Sequence, residues 1–578
     1  MGYMENYELW LNDSDLKAEE RAELVQMKED EKLLEEAFTN PLAFGTAGMR
    51  GILGMGTNRM NVYTVMRATL GLANYINHEG GAERGVLIGY DTRNFSFEFA
   101  TIAASVLEHN GINVYLYENV RPVPMVSFGV RELKAFAGIM ITASHNPKEY
   151  NGYKVYGEDG AQLSVEASNH LTEYINGIKD YIGIPHSNTE LTRQTVCGRE
   201  GKLSDRITVV GEELDQRFFA AVEGLMLSPE AVKESKGLKI VYTPLHGAGY
   251  KPVTRMIKKM GIDLVTVPEQ AIPDGNFSTV AVPNPEQSEA LDMAIRLADE
   301  VNADAVIGTD PDCDRMGVAI REDGKMTLLT GNQIGSLMLD YVLTRKRATG
   351  KLPENAVAIK SIVTSCLAEE VCKLHKVPCV NVLTGFKFFG EKIKEWESTG
   401  EHTYAFGFEE SYGYLAGTHA RDKDAVSASM LFAEMVCYYK SKGISVVERL
   451  NQLYEAVGYF YDKTVSTFYK GLNGMEKMAG IMEKLRTEKV ETLGGLTVEY
   501  ISDYRARQKT YLDGRTEALP QGSTNAMYFG FDCGWVCARP SGTEPKLKYY
   551  ISVGGRSMDE ARAKAEAIEK DFASILNG

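Results

Sequence analysis

Three aspartates at alternate positions, Asp310, Asp312 and Asp314, limit the chemistry this chain can attempt. Carboxylates packed that closely repel one another unless a cation or cationic side chains neutralise them. A hard divalent ion such as Mg2+ suits an oxygen-only ligand set and takes a phosphate or water as well. A calcium loop of the EF-hand kind is excluded. It needs glycine at loop position six and glutamate at twelve, where this chain has Arg315 and Arg321.

A second constellation, Ser144-His145-Asn146-Pro147, follows the short apolar run 138–141. Pro147 has no amide donor and disfavours helix at Asn146, so Ser144 is expected at the tip of a tight turn, with Lys154 in the loop beyond. Arg539-x-Ser541-Gly542-Thr543 gathers a guanidinium, two hydroxyls and a flexible amide, the equipment for holding a phosphate. Glu409 and Ser411 offer acceptors and a hydroxyl of the sort that hold sugar hydroxyls, and Lys423 adds a cation near them, although alone each is more often a surface residue. Near the start, glycines bracket Thr46 and Arg50, where flexible backbone and a guanidinium can approach an anion.

These groups need a scaffold that delivers loops to one place. Strand-like runs at 86–91, 113–117 and 138–143 alternate with a helical pattern at 97–109. The scheme recurs with strands 238–243, 263–267 and 303–308 between helices 250–260 and 289–302. It recurs again with strands 356–363, 379–383 and 404–407 and helices 333–345 and 366–375. In open α/β sheets, ligands bind beyond the carboxyl ends of the strands, where Ser144 and the aspartates fall.

The expected architecture is α/β: three similar α/β domains with mixed sheets, plus a C-terminal α+β phosphate-binding domain. The expected boundaries are 1–205 (a helical extension with Ser14 as N-cap, then the serine domain), 206–322 (carrying the three aspartates), 323–450 (carrying Glu409 and Ser411) and 451–578 (carrying the Arg539 loop). The last segment carries strands at 459–468, 497–501 and 535–538 and an amphipathic helix at 559–576.

A length of 578 residues fits three to five domains. The net charge of −16 argues against a general nucleic-acid binder but not against anionic small molecules. No secretory leader or membrane span is read, and eight dispersed cysteines fit neither a disulfide framework nor a zinc site. The expectation is a reduced, cytoplasmic protein working on small-molecule substrates, with no nucleic-acid or membrane partner.

Taken together, TASHNP at 142–147, DPDCDR at 310–315, GFEESYG at 407–413 and RPSGTEP at 539–545 resemble the four signature loops of the α-D-phosphohexomutase family. They stand in the family's order, about one per domain, and the resemblance spans the chain from Phe44 onward.

The resemblance implies that Ser144 is a phosphoserine whose phosphate shares Mg2+ with Asp310, Asp312 and Asp314. It implies that Glu409 and Ser411 hold the sugar, helped by Thr384, Gly385 and Lys387. Arg539, Ser541, Gly542 and Thr543 would hold the non-reacting phosphate. Arg50, Thr46, His145, Lys154, Arg315 and Lys423 match positions around the reacting group, with the proton carrier open among His145, Lys154 and Lys423.

The implied reaction interconverts glucose 1-phosphate and glucose 6-phosphate through glucose 1,6-bisphosphate. Mannose or pentose phosphates are the nearest alternatives. Ala47 and Met49 stand where many family members have serine and leucine, and Pro311, Cys313 and Phe386 depart from animal-type glucose members, whereas the loop from His419 to Asp424 matches the glucose type. A non-catalytic sugar-phosphate sensor would be expected to lose Ser144 or an aspartate. A serine hydrolase would need a G-x-S-x-G elbow, which is not found around Ser144.

Overall fold

The computed structural model describes residues 2–45, 48–235, 237–469, 474–541 and 546–577. The chain forms two compact units. The first comprises 1–329, 389–400 and 413–441, and the second 330–388, 401–412 and 442–578.

The first unit opens with helices Tyr3–Leu11, Ala18–Met27 and Glu31–Phe38. Tyr7 and Trp10 meet Phe38 edge to face, which anchors the extension on a buried apolar cluster shared with Met66 and Val106. Ser14 is not an N-cap as expected. It lies in the turn between the first two helices, tightened by Asp13 accepting from the Asp15 amide, and the second helix starts after Lys17. Asp30 caps the third, accepting from the amides of Lys32 and Leu33.

Seven strands form the first sheet: β1 (Met49–Ile52), β2 (Val86–Tyr90), β3 (Val114–Tyr117), β4 (Ala137–Ile141), β5 (Tyr150–Gly157), β6 (Gly201–Lys202) and β7 (Ile207–Val210). Their order is β1-β5-β4-β2-β3-β7-β6. The parallel strands β2 and β4 are buried along their whole length, as strands covered by helices on both faces must be.

β5 corrects an expectation. Lys154 lies not in a loop but on this strand, opposite Met140 of β4. The turn at Pro147 is so short that the chain re-enters the sheet antiparallel at once.

The second sheet, in order β12-β11-β10-β8-β9, comprises β8 (Lys239–Thr243), β9 (Asp263–Thr266), β10 (Ala305–Thr309), β11 (Met316–Glu322) and β12 (Lys325–Leu329). β8, β9 and β10 run parallel, whereas β11 returns antiparallel to β10. The aspartate loop is the connection between β10 and β11.

In the second unit, β13 (Ala356–Ser361) runs parallel to β14 (Cys379–Val382) on one side and β15 (Thr403–Glu409) on the other. The C-terminal sheet pairs Tyr459–Phe468 with Lys546–Gly555, then Gly534–Pro540, Met527–Phe531 and Tyr500–Asp503. Helix Met558–Asn577 covers it with Ala565, Ile568 and Phe572. The strand expected at 497–501 is split between a two-residue ladder at Leu496–Thr497 and Tyr500–Asp503. Among the described residues, no helix is long and apolar enough to cross a membrane.

Candidate active site

Ser144 adopts φ of 53°, a left-handed conformation that a serine rarely takes. Its amide donates to Thr142 Oγ1 at 2.8 Å, which turns the chain out of β4. Its hydroxyl thereby reaches Asp310 Oδ2 at 2.9 Å and His145 Nδ1 at 3.2 Å.

The aspartate loop is folded on itself by backbone donors. Asp310 Oδ1 accepts from the amides of Asp314 and Arg315, at 3.1 and 3.0 Å. The acceptor oxygens of Asp310, Asp312 and Asp314 all lie within 4.8 Å of one another, and all three residues are buried. Asp312 Oδ1 and Asp314 Oδ1 are buried without a hydrogen-bond partner. Buried polar atoms are rarely left so. Oxygen-only donors with two orphaned carboxylate oxygens and a hydroxyl beside them fit a hard divalent cation.

Lysines supply part of the compensation. Lys154 Nζ lies 3.0 Å from Asp312 Oδ2 and 3.8 Å from Asp314 Oδ2, and Lys423 Nζ lies 3.0 Å from Asp314 Oδ2. Burial raises the cost of charge on each carboxylate, but the Lys154 and Lys423 ammoniums outweigh it at Asp312, which is held well below the usual carboxylate range. Burial, followed by repulsion from Asp312, pushes Asp310 and Asp314 up. Burial, then the guanidiniums of Arg315 and Arg50, pushes the His145 imidazole down.

Arg50 reaches the serine turn, donating to Asn146 Oδ1 at 3.1 Å. Arg315 pairs with Glu286. The first unit therefore brings together Ser144, His145, Lys154, Arg50, Arg315, Lys423 and the three aspartates. Thr46 lies outside the described residues.

Asp422, which sequence reasoning missed, stands behind Lys423. Its Oδ2 accepts from Tyr156 Oη at 3.0 Å and Gln162 Nε2 at 2.8 Å, and its Oδ1 lies 3.5 Å from Lys423 Nζ. The available signal was the two-residue period of a strand, which sets Tyr156 on the same face as Lys154.

In the second unit, β15 ends on Glu409, whose Oε1 accepts from the Gly385 amide at 2.5 Å. Gly385 has φ of 121°, a conformation glycine alone adopts without strain. The neighbouring Thr384 Oγ1 is buried without a hydrogen-bond partner, so this loop has a hydroxyl left over for a ligand. Lys387 Nζ sits 5.1 Å from the centre of the Phe388 ring. Phe386 is buried and faces the core. Ser411 is half-buried, beside Glu410, which accepts from Ser361 and Thr364 hydroxyls. Arg539 is the last residue but one of the strand Gly534–Pro540, opposite Lys548, and Ser541 donates its amide to the Lys546 carbonyl at 2.7 Å. Gly542 and Thr543 lie outside the described residues.

Residues 41–182, 216–324 and 330–457 match, in order, the alpha/beta/alpha domains I, II and III of phosphoglucomutase/phosphomannomutase. A phosphoglucomutase of Staphylococcus epidermidis is 39% identical over 526 residues, 90% of this chain and 92% of its own. One from Staphylococcus aureus is 36% identical over 569 residues, 97% and 98% of the two chains. The open form of pp63/parafusin, a phosphoglucomutase of Paramecium, shares the fold with a TM-score of 0.70. It is 19% identical, and the match covers 93% of this chain and 96% of that one.

Proposed function

The chain belongs to the phosphoglucomutase/phosphomannomutase family, and from that premise we propose that it interconverts glucose 1-phosphate and glucose 6-phosphate through a phosphoserine at Ser144. The observation that carries the reading is the Ser144 hydroxyl 2.9 Å from Asp310 Oδ2, inside a buried cluster of three carboxylates and two lysines.

A phosphoryl group on Ser144 adds about −1.5 to −2 charge at neutral pH. Lys154, Lys423 and the guanidiniums of Arg50 and Arg315 offset part of it. Asp310, Asp312 and Asp314 would hold Mg2+, which supplies Lewis-acid stabilisation of the charge on the transferring group. The turn at Ser144 sets the line of attack for the free hydroxyl of the sugar phosphate. His145, Lys154 and Lys423 are the candidates to take that hydroxyl's proton. Transfer from Ser144 gives glucose 1,6-bisphosphate, which reverses its orientation and returns its other phosphoryl to Ser144.

Glu409 and Ser411, with Thr384, Gly385 and Lys387, would hold the sugar. Arg539 and Ser541, with Gly542 and Thr543, would hold the idle phosphate. The division of labour follows segments 1–205, 206–322, 323–450 and 451–578. Glucose is assigned on the names of the relatives at 36–39% identity.

The test is kcat/KM on glucose, mannose and ribose 1-phosphates, with Mg2+ and a trace of glucose 1,6-bisphosphate. Glucose preference and loss of turnover in Ser144→Ala are expected. A Ser144→Ala enzyme that keeps most of its turnover would end the phosphoserine reading, and preference for ribose would change the substrate alone.

A further inference from the structure

Arg93 is buried to a degree unusual for a charged residue, with no exposed side-chain surface. Its guanidinium is spent on backbone oxygens of one turn. Nη2 donates to the carbonyls of Ser144, at 2.6 Å, and Asn146, and Nη1 to those of Pro147 at 2.9 Å and Tyr150 at 3.0 Å. Nε faces Asp91 Oδ2 at 3.4 Å, and Asp91 Oδ1 also accepts from the Arg93 amide and the Ser96 hydroxyl. The open face of the guanidinium is covered by the Phe277 ring, 4.9 Å away. Phe277 itself is 2% exposed, and its loop is tied to the same corner by Asn94 Nδ2 donating to Asn276 Oδ1 at 3.0 Å.

We propose that Arg93 is the positioning residue of the phosphoryl-transfer turn, holding Ser144 in its left-handed conformation from beneath while touching neither substrate nor metal. A left-handed non-glycine residue persists only where its surroundings over-determine it. The four carbonyls gripped by Arg93 run from Ser144 itself to the start of β5, so the turn that follows the serine cannot relax without breaking several bonds to one planar fork. The in-line geometry of the seryl oxygen is thereby set before any ligand arrives. Lysine cannot replace the fork, because a compact ammonium has three donors and no fixed plane.

The inference rests on the phosphoserine reading above, and the experiment separates the two. Arg93→Lys is labelled with glucose 1,6-bisphosphate, the phosphate on Ser144 is counted, and kcat is expressed per phosphorylated serine. This normalisation removes any loss due to misfolded molecules. The expected result is a fall of about 30- to 100-fold in kcat, the scale of a misplaced reacting group, with KM for glucose 1-phosphate changed less than twofold. Asp91→Asn, which keeps the shape and weakens the hold on Arg93, should show the same pattern at about fivefold to tenfold. It decides the matter if the lysine variant does not fold.

Normalised kcat within twofold of wild type in the folded variant would overturn the assignment. So would a loss appearing in KM instead of kcat. A wild-type enzyme that takes no label on Ser144 would remove the phosphoserine reading, and this inference with it.

Discussion

Lys423 places its ammonium 3.0 Å from Asp314 Oδ2, although Asp422 stands next to it in sequence with its nearer oxygen at 3.5 Å. The lysine therefore sits between two carboxylates, one in the aspartate loop and one behind it, and is itself largely buried. A cation held this way cannot swing out to solvent, so it acts as a fixed charge in the site.

Lys423→Met should lower kcat by about two orders of magnitude, the usual consequence of removing a preorganised charge next to a transferring group. Half-saturation by Mg2+ should not rise, because the variant removes a positive neighbour of the aspartates and leaves all three in place. Mg2+ titration of turnover reads both quantities. A weakened Mg2+ response at near-normal kcat would show that Lys423 organises the aspartate loop instead.

Glu409→Ala removes the acceptor that fixes Gly385, a charged hydrogen bond of about 1.5–3 kcal/mol. If the loop from Thr384 to Lys387 grips sugar, KM for glucose 1-phosphate should rise roughly tenfold or more. Labelling of Ser144 should proceed to the same final stoichiometry. Unchanged KM would take Glu409 out of the sugar grip.

How far the sequence reveals this site depends on what each residue answers to. Ser144 and the aspartates stand at strand ends announced by apolar runs, and their side chains lie where the loop chemistry puts them. Strand-ending loops of an α/β layer are thus legible from hydrophobic pattern alone. Lys154 was placed in the wrong element because YNGYKVYG carries polar residues on both faces. Its burial comes from pairing with β4 and β1, which no local pattern records. Arg93 was invisible for the same reason, since its partners lie far along the chain.

Gly152 shows how tightly the serine turn is fitted into the sheet. A Cβ there would stand 2.6 Å from the Thr142 carbonyl oxygen and 2.8 Å from that of Met49. Both are backbone atoms, one in β1 and one just past the end of β4, and have no free end to move. Gly152→Ala should therefore destabilise the first unit by about 1–3 kcal/mol, in the range of overpacking, and shift its thermal transition down by several degrees. Because Thr142 accepts from the Ser144 amide, turnover at a temperature where the variant is folded should fall too. A melting temperature within a degree of wild type would contradict the close approach of β1, β4 and β5.

Lys346, far along the chain on helix Gly331–Ala348, offers a pH-dependent test of the second unit. Its Nζ donates to the Ala405 carbonyl at 3.1 Å, and burial pulls its pKa down from 10.5 to about 8. Below pH 8 the folded and unfolded chains both carry the proton, and the full cost of burying the ammonium is present. Between pH 8 and 10.5 the unfolded chain binds more protons than the folded one, so the stability contribution rises with pH. Above 10.5 both forms are neutral and it levels off. The shift corresponds to about 3 kcal/mol, part of which a methionine recovers after losing the bond to Ala405. Lys346→Met should accordingly be more stable than wild type at pH 7, by about 1–2 kcal/mol, with the gap closing as pH approaches 10.5. Paired urea melts at pH 7 and 10 measure it. A gap that stays constant across that range would mean the Lys346 ammonium is not buried at a cost in the folded protein.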